Sequence, residues 1–107
     1  MGLTQYNIVL VNLEPTRGSE IRKTRPCVII SPEEMNKYLR TITVAPMTTK
    51  SRKYPTRIKV KHKNKIGWIV IDQIRTIDKS RIVKTLGTLS DKEITACKEV
   101  IKETFVD

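Results

Sequence analysis

Apolar residues recur in short runs or at alternate positions through most of the chain, and at helical spacing only near its end. Tyr6 to Leu13 is rich in Val, Ile and Leu and predicts a first strand. Glu14 to Thr24 is polar, contains Pro15 and Gly18, and predicts a loop. Cys27-Val28-Ile29-Ile30 is a short apolar run between turn signals, the pattern of a buried strand. Ser31 and Glu34 have capping-box spacing, and Pro32 suits a first helical turn, so a short helix is expected there. Thr41 to Met47 predicts another strand, with Pro46 marking an edge or a bulge. Thr48 to Tyr54 predicts a polar, basic loop.

The second half is patterned more sharply. Arg57 to Lys61 alternates strictly: Ile58 and Val60 point one way, and Arg57, Lys59 and Lys61 the other. A turn from Lys63 to Gly67 leads into a buried strand, Trp68 to Ile71. Ile74 to Ile77 is irregular or a short strand, and Ile82 to Leu89 contains one more. Ser90 and Glu93 form a second capping box. Ile94, Cys97, Ile101 and Phe105 then fall on one helical face, with Val100 beside them, and Lys and Glu fill the other face. Many short strands followed by one helix predict a mainly β fold, a small and strongly curved β-barrel covered by a C-terminal helix. The 107 residues predict a single domain over 1–107.

Aromatic residues are few (Tyr6, Tyr38, Tyr54, Trp68, Phe105), so Val, Ile and Leu must form the core. No apolar run approaches the roughly 20 residues that span a membrane. Met1 to Gln5 lacks the pattern of a signal peptide. A cytoplasmic protein with no membrane association is expected. Cys27 and Cys97 sit among apolar residues and read as core thiols, not as a disulfide or nucleophile. With His62 the single histidine, a zinc site is not expected.

The net charge of +10 is concentrated. Lys50, Arg52, Lys53, Arg57, Lys59, Lys61, Lys63 and Lys65 lie in one segment with no carboxylate, while the rest of the chain is nearly balanced. A localised positive field is the footprint of a polyanion partner. If that partner is RNA, cleavage by a pair of histidines is excluded by composition. A Mg²⁺ site recruits carboxylates, which the basic segment lacks. Guanidinium groups fixed against the scissile phosphate, helped by hydroxyls, remain. Arg25 is the best-placed arginine, because Pro26 biases it to extended backbone where a polar loop meets a strand. Thr48 and Thr49 end an apolar run and can present hydroxyls to a phosphate, or simply form a turn. Asp72 and Gln73 end another, with a turn carboxylate or an ion pair to Arg75 or Arg81 as the plainer reading. His62 could stack on a base or be solvated.

These residues also carry a family resemblance. Leu13-Glu14-Pro15-Thr16-Arg17-Gly18-Ser19-Glu20 followed by Thr24-Arg25-Pro26-Cys27-Val28-Ile29-Ile30 resembles the first signature of the MazF/PemK/Kid toxins. Val44-Ala45-Pro46-Met47-Thr48-Thr49 resembles their second stretch, and Asp72-Gln73-Ile74-Arg75-Thr76-Ile77-Asp78 their third. Lys53-Tyr54-Pro55-Thr56 is similar to a loop of one MazF subgroup. The chain departs from the pattern at Tyr6-Asn7, where most members have Gly-Asp or Gly-Glu. Ser19 and Val70 stand where Kid-like members place a histidine and an arginine. The MazF branch is therefore the nearer likeness.

The resemblance implies the SH3-like barrel of the CcdB/MazF/Kid type and a homodimer. It implies a toxin that cleaves single-stranded RNA at short sequences without a metal or other cofactor, leaving a 2′,3′-cyclic phosphate and a 5′-hydroxyl. It implies an acidic, MazE-like antitoxin as partner. Arg25 and Thr48 match the catalytic pair. Ser19, Glu20, Thr49, Asp72 and Gln73 match supporting positions. Lys50, Arg52, Lys53, Arg57, Lys59, Lys61, His62 and Lys63 are expected to bind RNA. A gyrase-poisoning toxin of the same fold and a non-catalytic RNA-binding barrel are the alternatives.

Overall fold

The computed structural model describes residues 2–12, 24–50, 54–62 and 65–106, with the side chain of His62 left undescribed. The expected site residues Ser19, Glu20, Arg52, Lys53 and Lys63 lie outside the described residues, as does most of the first signature. Seven strands are described: β1 Asn7–Asn12, β2 Thr24–Ile29, β3 Thr41–Thr48, β4 Arg57–His62, β5 Lys65–Val70, β6 Arg75–Asp78 and β7 Ile82–Thr88. Helix α1, Glu33–Tyr38, joins β2 to β3, and α2, Asp91–Ile101, follows β7. All pairings are antiparallel and run β4-β5-β3-β2-β1-β7, with β6 beside the first half of β3. The architecture is thus the expected mainly β fold with a C-terminal helix, although among the described residues β4 and β7 remain unjoined and the sheet does not close.

Successive residues of the central strands enter opposite cores. Ile8, Val28, Ala45 and Met47 join Ile58, Val60, Ile69 and Ile71 beneath α2, which contributes Cys97. Val9, Val11, Cys27, Ile29, Ile42, Val44 and Ile77 form the second cluster. Both faces are therefore buried, which is why Cys27 to Ile30 reads as a continuous apolar run. On β4 only one face is covered: Ile58 and Val60 are buried, whereas Lys59 and Lys61 are exposed. The Ser90 hydroxyl accepts from the Glu93 N–H and the Glu93 carboxylate accepts from the Ser90 N–H, so the expected capping box starts α2.

Several expectations need correction. Strand β2 begins at Thr24, so Arg25 and Pro26 lie within it. The β2–β3 ladder begins at Cys27, and the missing N–H of Pro26 breaks no bond on that side. Pro46 is buried in a central strand, not on an edge. It lies where β3 has left β6 at Val44 and has yet to meet β5 at Met47. The capping box at Ser31 and Glu34 does not form, and Pro32 is the N-cap of α1. The Ser31 hydroxyl instead donates to Asn36 Oδ1 (2.5 Å) and accepts from the Thr43 N–H (3.1 Å). Asn36 Nδ2 donates to the carbonyls of Ser31 and Leu3. Phe105 is 59 % exposed, because the backbone widens into a π-helical turn over Lys102–Val106 and turns it off the packed face.

Tyr6 precedes the first strand in a turn and has φ 70°, a left-handed conformation that costs about 1–2 kcal/mol outside glycine. Its N–H donates to Ile29 (2.7 Å), and its carbonyl accepts from the Leu89 N–H (3.0 Å) and the Thr88 hydroxyl (3.2 Å). These bonds, with burial of the ring, hold it where the resembled family has glycine.

The buried polar junction at Asn36 gives a stability test. Asn36→Ala leaves the Ser31 and Leu3 carbonyls without their donor and should cost about 1–3 kcal/mol. Glu34→Ala, which would matter if the capping box existed, should stay within about 0.5 kcal/mol. Urea denaturation of both variants measures the contrast.

Candidate active site

The end of β3 and the start of β2 frame one concavity. In the β2–β3 ladder Cys27 faces Pro46 and Val28 faces Ala45. Arg25 lies two residues before Cys27 on β2, and Thr48 lies two residues after Pro46 on β3. Both line a cavity of about 440 Å³, together with Thr24, Pro26, Thr49, Lys65 and Gly67. Ile8, Met47, Ile66 and Leu86 supply its apolar lining. An apolar floor with a cationic and hydroxyl-bearing rim suits a planar base beside a phosphate.

Each polar member is placed by buried neighbours on its own strand. Arg25 is exposed but is followed by the fully buried Cys27, Val28 and Ile29. Thr48 is half-buried after the buried Ala45 and Met47. The Thr48 hydroxyl accepts from the Lys50 N–H (3.2 Å) and lies 3.3 Å from the Lys50 carbonyl. It thus forms the tight hydroxyl turn that was the plainer reading, without leaving the cavity. A Cβ added at Gly67 would lie 3.6 Å from the Thr48 carbonyl oxygen, an ordinary van der Waals contact. Both cysteines are buried, and burial pushes each thiol up to about 11, for Cys27 despite the opposing charges of Arg25 and Arg75.

The other expected site residues divide. Thr49 lines the cavity. Asp72 and Gln73 do not; they lie in a 3₁₀ turn, Ile71–Gln73, past the far end of β5 from Lys65. Asp72 pairs with Arg57, Nε to Oδ1 at 3.4 Å, not with Arg75 or Arg81, and also accepts from the Thr56 hydroxyl (2.9 Å). Lys50, Arg57, Lys59 and Lys61 are outside the cavity lining. Lys65, Thr24 and the apolar floor were missed in the sequence. Lys65 was visible there only as the last cation of the basic run.

Comparison with known proteins gives a consistent result. Residues 4–105 match the model of the family described as PemK-like, MazF-like toxin of type II toxin-antitoxin system. The chain is 39% identical to the endoribonuclease MazF of Staphylococcus saprophyticus, covering 82% of this chain and 78% of that protein. It superposes on the Mycobacterium tuberculosis toxin MazF-mt6 with TM-score 0.79 and 26% identity, over 94% of this chain and 96% of that one. It superposes on an endoribonuclease from a mycobacterial species, solved in complex with its cognate antitoxin, with TM-score 0.83 and 17% identity. That match covers 97% of this chain and 95% of the other, and shows the fold.

Asp72 yields a pH test of its structural role. Burial alone would raise its carboxyl, but hydrogen bonds from Arg57 and Thr56 and the guanidinium charge hold it below the ordinary carboxylate value. A depressed folded pKa contributes stability above the unfolded value, near 4, that is lost as pH falls through the folded one. Asp72→Asn should therefore be less stable than the parent at neutral pH, with the deficit closing as the solution is acidified below about pH 4. Paired urea titrations across that range measure it; a deficit constant with pH would contradict the ion-pair role.

Proposed function

The chain belongs to the PemK-like, MazF-like toxin family of type II toxin–antitoxin systems, and we propose that it is the toxin component, an endoribonuclease that cleaves single-stranded RNA, including mRNA, at short sequences and so halts translation and growth. The observation that carries this reading is the opening of Arg25 and Thr48, from two strands, onto one cavity.

The chemistry is a transesterification. The substrate's 2′-hydroxyl gives its proton to water as its oxygen attacks phosphorus, the bond to the 5′-oxygen breaks, and that oxygen takes up a proton from water. The products are a 2′,3′-cyclic phosphate and a 5′-hydroxyl. Charge builds on the non-bridging oxygens of the phosphorane, where a planar guanidinium donates two parallel bonds. Arg25 supplies these bonds and can donate to the leaving oxygen; guanidinium groups stay protonated in proteins, so it is not the base. Thr48 binds a non-bridging oxygen or steers the 2′-hydroxyl. Thr49 supports the rim, and the family likeness assigns supporting roles to Ser19 and Glu20. No step requires a metal or cofactor.

The protein acts in the cytoplasm as a single domain over 1–107, in a homodimer. Its inhibitor is an acidic, MazE-like antitoxin, whose carboxylates match the Arg25 and Lys65 rim and whose apolar side chains match the floor.

Incubating the purified protein with a long RNA in EDTA and mapping 5′ ends should reveal cleavage at one recurring short motif. Arg25→Lys keeps the charge without the fork and should lose about 10²-fold or more in kcat. Thr48→Ala should fall comparably, while Thr48→Ser, which keeps the hydroxyl, should stay within about 10-fold. No cleavage in EDTA, together with an Arg25→Ala variant as harmless in cells as the parent, would overturn the reading.

A further inference from the structure

The outer face of β4 carries a row of cations that starts at the cavity wall. Arg57, Lys59 and Lys61 share the face opposite the buried Ile58 and Val60, and Lys59 and Lys61 are exposed. Residues two apart on a strand are separated by about 7 Å, a step comparable with that between phosphates of an extended RNA strand. At the near end Lys61 stands across from Ile66, and His62 across from Lys65, both residues of the cavity. The Glu93 carboxylate accepts from the Lys61 N–H (3.2 Å) and ties this end of the strand to α2.

The far end is built differently. Tyr54 to Arg57 is a tight turn closed by a bond from the Arg57 N–H to the Tyr54 carbonyl (3.0 Å), with Pro55 at its second position. The turn sets the Arg57 guanidinium over the Tyr54 ring, 4.8 Å from its centroid. Asp72 fixes the guanidinium, and Thr56 fixes Asp72. Tyr54 nevertheless remains 45 % exposed. The Arg57–Asp72 pair is partly buried, with its side chains 21% and 35% exposed, and it holds an aromatic ring and a guanidinium plane together at the surface.

Resting on the ribonuclease reading, we infer that this face is a second RNA subsite, a phosphate track along Lys61 and Lys59 that ends on a base-stacking platform made by Tyr54 and Arg57. Bases stack on tyrosine rings and on guanidinium planes, and cationic rows follow the backbone between them. The track from Lys61 to Arg57 spans about 14 Å. An RNA seated in the cavity therefore reaches the platform only if it extends two or more nucleotides beyond it. Asp72, which the signature suggested for the active site, is on this inference a positioning residue for the platform.

The test reads binding without cleavage, so its failure is distinct from failure of the cleavage assay. Full-length Arg25→Ala protein is titrated into fluorescein-labelled oligouridylates of about four and about ten nucleotides, and into a long oligomer whose flanks are abasic. The long intact RNA should bind more tightly than the short one. Adding Tyr54→Ala should weaken the long intact RNA about 10-fold and leave the short and the abasic RNA unchanged. Adding Tyr54→Phe should restore binding. Adding Lys59→Gln should weaken both long RNAs and lower the salt slope by about one. Equal binding of long RNA with and without Tyr54→Ala overturns the inference. So does a loss of equal size on short and long RNA, or on intact and abasic RNA. A polyglutamate peptide of about ten residues that binds the parent and loses affinity on Tyr54→Ala would assign the face to an acidic protein segment and overturn it as well.

Discussion

Strand β3 is hydrogen-bonded on both sides and changes partner midway along one of them. It pairs β2 through Val44, Ala45 and Pro46, while its other edge holds β6 up to Val44 and β5 from Met47. The gap between β6 and β5 is where the sheet can bend, and proline fits there because no ladder on that edge asks for its N–H. Alternation along β3 sends Ile42 and Val44 into one core and Ala45 and Met47 into the other. Arg25, two residues before Cys27, and Thr48, two residues after Pro46, open on one cavity. Neither residue is held by its own side-chain bonds alone. Both are held by fully or nearly fully buried neighbours whose packing leaves the strand ends no freedom to part.

Much of this was legible because burial on one or both faces imposes a period. β4 alternates because one face is solvated, and the run at Cys27 does not alternate because both faces are filled. The capping box of α2 was legible because, among the described residues, the Ser90 hydroxyl bonds only the Glu93 N–H. At Ser31 the same local signal failed, since Asn36 and Thr43 claim that hydroxyl once β3 packs beside α1. Phe105 kept helical spacing in sequence, but spacing counts residues at 3.6 per turn and cannot register a π-helical widening. The left-handed Tyr6 was hidden for a similar reason: tertiary hydrogen bonds, not its residue type, hold its backbone.

Among the cavity's polar residues, Arg25, Thr48 and Thr49 were legible, because each stands where a polar segment meets a buried strand. Lys65 and the apolar floor were not, because only the folded β3–β5 pairing brings the start of β5 beside Thr48. Asp72 and Gln73, from the third stretch, fall outside that cavity. Asp72 follows an apolar run just as Thr48 does, yet the two runs lie antiparallel in the sheet, so their ends point apart. A shared sequence pattern thus gives Thr48 the cavity and Asp72 the Arg57 pairing.

The surroundings of Arg25 narrow the chemistry further. Cys27 lies two residues away, near enough for the charge of Arg25 to lower its thiol, but full burial outweighs that charge and leaves it about 11. A thiol held there is almost entirely protonated at neutral pH and is no nucleophile. Thr48 is constrained more subtly. Its oxygen already accepts from the Lys50 N–H, while its own proton has a weaker use, in a 3.3 Å contact with the Lys50 carbonyl. A hydroxyl has one proton to give. Handing it to a phosphate oxygen replaces that contact and keeps the bond from Lys50, so binding phosphate leaves the turn intact. A threonine hydroxyl is a weak base, and among the described residues no hydrogen bond links Thr48 to a stronger one, so it is poorly suited to take the proton of a 2′-hydroxyl. On the proposed mechanism the geometry therefore favours Thr48 as a donor to the phosphorane beside Arg25, and assigns both residues to stabilising charge.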